Sequence, residues 1–69
     1  MTFYFETFEY VADNGNILRV SRYRDKFAPR DFWRVCFSYK SAPALGYVLR
    51  DGLLNKPNSR QIARYLESI

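Results

Sequence analysis

The chain has 69 residues, net charge +4, no histidine and one cysteine, Cys36. Those counts exclude an intrachain disulfide and leave a structural zinc site without a ligand set. One small domain spanning residues 1–69 is expected. At this size it buries only about 60% of its unfolded surface, so an aromatic core or a second chain has to supply stability. Phe, Trp and Tyr make up 19% of the residues, and hydrophobic content of 48% argues against disorder.

The first fifteen residues lack the positive and apolar regions of a signal peptide, and no run approaches the ~20 apolar residues of a membrane span. With one unpaired cysteine, the expectation is a cytoplasmic protein without membrane contact.

Residues 2–12 are, apart from Ala12, aromatic, β-branched or Glu and run into Asp13-Asn14-Gly15, which predicts a hairpin. A three-residue loop with Gly15 left-handed matches Glu9 with Arg19, Glu6 with Arg22, Thr7 with Ser21, Tyr10 with Leu18, Phe8 with Val20, Val11 with Ile17 and Phe5 with Tyr23. A two-residue Asn14-Gly15 loop would instead set aromatic and hydroxyl side chains against arginines, so the three-residue register is preferred. Lys26-Phe27-Ala28-Pro29 reads as a connector. Trp33, Val35, Phe37 and Tyr39 then alternate with polar residues and small Cys36, which predicts a third strand over 31–40.

Ser41 as an N-cap, Pro43 in a first turn, a Leu45, Val48, Leu49 stripe and Gly52 as a stop predict a helix over 42–51. Asn58 with Gln61 three residues on forms a capping-box signature for a second helix, 58–69, with Ile62, Tyr65, Leu66 and Ile69 on one face. The expected fold is α+β: a three-stranded antiparallel β-meander followed by two short α-helices packed on one sheet face.

The chemistry available points away from catalysis. There is no histidine to act as a base near neutral pH, Glu6 and Glu9 are explained by pairing and Asp13 by the turn, Asp51 and Glu67 fall near helix C-termini without a catalytic mate, and the three glycines form no phosphate loop. The expectation is no enzyme, no metal and no cofactor. The stretch Arg19 to Arg34 holds six of the eleven basic residues and four aromatics. Glu6 and Glu9 offset its first half, which leaves Arg24, Lys26, Arg30, Trp33 and Arg34 as the candidate partner-binding group.

Arginine, tyrosine and tryptophan dominate interface hot spots, and two helices can cover only one sheet face. The expected function is a small non-enzymatic binding protein, a stoichiometric inhibitor or accessory factor of the kind phages and mobile elements encode. It would occlude a protein partner, including one that handles nucleic acid, and the uncovered sheet face allows a homodimer. The alternative is direct DNA or RNA binding through segment 24–34 or through Arg60, Gln61 and Arg64 of the last helix.

Overall fold

A computed structural model describes residues 2–69. Four antiparallel strands, β1 (Thr2–Val11), β2 (Ile17–Asp25), β3 (Phe32–Tyr39) and β4 (Ala42–Leu53), lie in the sheet in chain order. A single helix, α1 (Ser59–Ser68), follows and packs on one face. Among the described residues no helix is long and apolar enough to cross a membrane.

The first hairpin adopts the three-residue loop. The Ala12 N–H donates to the Asn16 carbonyl (2.8 Å), the Gly15 N–H donates to the Ala12 carbonyl (2.9 Å), and Gly15 sits at φ 90°. Six of the expected pairs follow, from Val11 with Ile17 to Glu6 with Arg22. The seventh is corrected. A register shift between Tyr4 and Glu6 inserts Phe5 as an extra residue, so Tyr4 rather than Phe5 faces Tyr23. Such a bulge re-aims the strand beyond it. It turns Phe3 towards the face that carries Arg24, and it sets Phe5 against the Arg22 guanidinium (5.3 Å).

The expected helix over 42–51 is a strand, and the architecture is four strands with one helix rather than three with two. Leu45, Tyr47 and Leu49 alternate at period two as readily as Leu45, Val48 and Leu49 fit a helix, and Gly46, Tyr47 and Val48 are poor helix formers. The sheet decides between them. β3 would otherwise be an open edge, and Tyr47 stacks on Phe37 across the ladder with ring centroids 5.3 Å apart. Lys40 and Ser41 alone make the β3–β4 turn, with no left-handed residue. Unprimed two-residue turns splay their strands, and the pairing shifts register between Phe37 and Tyr39 and twice more along β3.

The core lies between α1 and one sheet face. Leu18, Val20, Val35 and Ile62 are buried together, with Tyr10, Trp33, Phe37, Leu53, Tyr65 and Leu66 packed around them. The helix begins at the expected cap: the Asn58 side chain accepts from the Gln61 N–H (2.9 Å), and the Gln61 side chain accepts from the Asn58 N–H (2.9 Å). Its far end is tied to the first turn, where Asn14 and Asn16 amides donate to the Ile69 carbonyl (3.2 and 2.8 Å). Asn16 also accepts from the Lys40 N–H (3.1 Å), joining the β1–β2 turn, the β3–β4 turn and the helix end at one point.

Candidate protein-interaction surface

Among the described residues no element lies over the sheet face opposite the helix, yet Ser21, Tyr23 and Ser38 are buried there. Side chains from all four strands close across it. Arg34 (β3) makes a two-pronged contact with Asp51 (β4), Nε to Oδ1 at 3.2 Å and Nη2 to Oδ2 at 3.1 Å. The Tyr23 hydroxyl (β2) donates to Asp51 Oδ1 (2.5 Å), and Arg34 Nη1 donates to the Tyr4 hydroxyl (β1, 2.5 Å). The guanidinium also lies over the Tyr23 ring (4.4 Å to its centroid).

This clasp sets its own protonation. Hydrogen bonding by Arg34 holds the Asp51 carboxyl below the usual carboxylate range, and the Asp51 carboxylate pushes the Tyr23 phenol above its usual value. The Arg34 guanidinium is held still more firmly protonated by its bonds to Asp51. Beside the clasp is a shallow depression of about 310 Å³ lined by Tyr4, Thr7, Arg19, Ser21, Arg34, Cys36 and Gly46. Both arginines in it already hold carboxylates, Asp51 and Glu9 (3.5 Å). Burial raises the Cys36 thiol, so it is not primed as a nucleophile.

The five expected partner-binding residues separate into two groups. Trp33 lies on the helix face, partly buried, stacked on Phe8 (6.4 Å) and packed against the core. Arg34 lies on the other face, in the clasp. Arg24, Lys26 and Arg30 stay exposed together at the end of the sheet, where a turn closed by the Ala28 N–H on the Asp25 carbonyl (3.0 Å) links β2 to β3. Asp31 pairs there with both Arg24 (2.7 Å) and Arg22 (3.2 Å). Lys26 and Arg30 make no ion pair among the described residues.

The same end carries exposed aromatic side chains. Phe27 tops the turn at 89% exposure, with the Lys26 ammonium over its ring (5.3 Å). Phe3 is half exposed and pairs with Arg24. The available signal was Phe27 itself, since a Lys-Phe-Ala-Pro turn has no structural need of an aromatic ring. On α1, Arg60 and Arg64 are exposed one turn apart, while Gln61 is engaged in the cap.

Scans against protein-family models, curated proteins and solved structures find no match to the chain.

Proposed function

We propose that the protein is a non-enzymatic binding module that occupies a surface of a protein partner and acts by occlusion, gripping it with the β2–β3 turn end. The observation that carries this is Phe27, held out into solvent with the Lys26 ammonium over its ring, at the end of the sheet where Arg30 and Phe3 are also exposed. Exposed aromatic clusters on small proteins mark partner sites, and aromatic rings with arginines supply most hot spots. The partner surface that fits is an apolar pocket with carboxylates at its rim, met by Lys26 and Arg30. Direct nucleic-acid binding is less well supported. Arg19, Arg22, Arg24 and Arg34 already hold carboxylates, and the cations without one among the described residues are scattered over the turn end (Lys26, Arg30), the β3–β4 turn (Lys40), β4 (Arg50), the approach to α1 (Lys56) and the outer side of α1 (Arg60, Arg64).

Phe27 contributes little to the folded state at its exposure, so Phe27→Ala leaves the circular dichroism spectrum intact. Against a partner purified with the wild-type protein, it weakens binding at least ~10-fold, the loss of one hot-spot anchor. Lys26→Glu with Arg30→Glu weakens it further and removes its salt dependence. Unchanged affinity in both folded variants would sink the assignment.

A further inference from the structure

The sheet has two free edges, and they differ. β4 carries Pro43 near its start, Gly46 and Gly52 within it, and three breaks in its pairing with β3. Such irregularities spoil an edge as a template for another strand. β1 has no proline, glycine or lysine, and its register is unbroken from Glu6 to Val11.

The Ala12 N–H to Asn16 carbonyl bond fixes which backbone groups of β1 are free. Hydrogen-bonded and non-hydrogen-bonded pairs alternate along an antiparallel ladder. Residues 8 and 10 therefore turn their N–H and C=O groups to β2, and residues 7, 9 and 11 turn theirs outward.

We propose that β1 pairs antiparallel with β1 of a second copy about a two-fold axis at Phe8, joining two four-stranded sheets into one. This goes beyond the binding reading above and leaves the β2–β3 turn free at each end. Register singles out the second copy as occupant, because β1 is complementary to itself at one position of the axis. An axis at Glu9 sets that carboxylate against its own copy, a destabilising like-charge pair. An axis at Thr7 sets Glu6 against Phe8 and forces the bulged Phe5 against Glu9.

The axis at Phe8 sets Phe8 on Phe8, Thr7 on Glu9 and Glu6 on Tyr10, with a hydroxyl facing each carboxylate. Charge agrees. Arg22 and Arg19 already hold Glu6 and Glu9 at 3.5 Å, so the edge meets its copy without net repulsion. Lys56, seated 3.8 Å from the centre of the Phe8 ring, lies on the same face as the incoming Glu6.

Sedimentation equilibrium tests it. The wild-type chain should run at twice its 8.2 kDa mass at tens of micromolar. Thr7→Pro removes an outward-facing backbone donor, which an edge strand tolerates, together with the Thr7–Ser21 hydroxyl contact (3.1 Å), and should give a monomer with an unchanged dichroism spectrum. Thr7→Val, which loses the same contact and keeps the donor, should stay dimeric. In a Cys36→Ser background, Phe8→Cys should cross-link between chains on mild oxidation, because directly opposed Cβ atoms lie about 4.5–5.5 Å apart. Glu9→Cys in the same background should not. A wild-type monomer, a folded Thr7→Pro dimer, or cross-linking through Glu9→Cys in place of Phe8→Cys would overturn the proposal.

Discussion

Tyr4, Tyr23, Arg34 and Asp51 do for one sheet face what the helix does for the other. Each comes from a different strand, and the hydrogen bonds run through a single guanidinium and a single carboxylate. The protonation states involved set a pH window. Asp51 has its folded value below the usual 3.8, so its contribution is complete above that value and is lost as pH falls through the lowered one. Tyr23 is raised above 10.0, so its contribution is complete below that value and is lost as pH rises through the raised one. The thermal midpoint of the wild-type chain should exceed that of Asp51→Asn by a constant margin from about pH 5 to 9, narrowing on either side. Salt should reduce the margin, because the Arg34–Asp51 pair is partly solvated. A margin independent of pH would show that the clasp does not stabilise through these charges. None of this was legible in the sequence. In the sequence Asp51 falls in the last turn of the expected 42–51 helix, and Arg34 counts among the expected partner-binding cations.

At the scale of elements, the signals that could be read were local. Asp13-Asn14-Gly15 determines a loop length, the loop length determines a register, and the charge pairs then agree with it. Asn58 and Gln61 start a helix by reciprocal hydrogen bonds three residues apart. The β4 segment fits a helix as well as a strand because its apolar residues match both periods, and what decides it is pairing with β3, whose Phe37 and Cys36 lie 10 and 12 residues from their partners Tyr47 and Val48. The bulge at Phe5 has no local signal either: it shows only in the pairing with β2, where Tyr4 faces Tyr23 and Glu6 faces Arg22. The cap makes a quantitative expectation. Asn58→Ala should cost about 1 kcal/mol, read as a lower urea midpoint with an unchanged slope. A loss under ~0.3 kcal/mol would mean that packing of Ile62 alone starts the helix.

Across the whole molecule, the arginine-rich stretch that dominates the sequence is distributed over both sheet faces and one end. Period-two alternation does this unavoidably: Arg22 and Arg24 face the helix side while Arg19 and Arg34 face the other. A run of charge in the chain therefore does not become a patch on the surface, and only the turn that interrupts the alternation leaves cations together. The serial strand order has a kinetic consequence. Every ladder closes over a connector of six residues or fewer, whereas α1 must reach back across the sheet to Asn14 and Asn16. Short closures lose little chain entropy and form early, and a long one is rewarded only once its target exists. The sheet should thus assemble without the helix, which joins last and leaves first. Native-state hydrogen exchange should show α1 amides opening at lower free energy than those of β2 and β3, with Ile62→Ala speeding the helix selectively. Equal protection of α1 and the central strands would mean that the two form together.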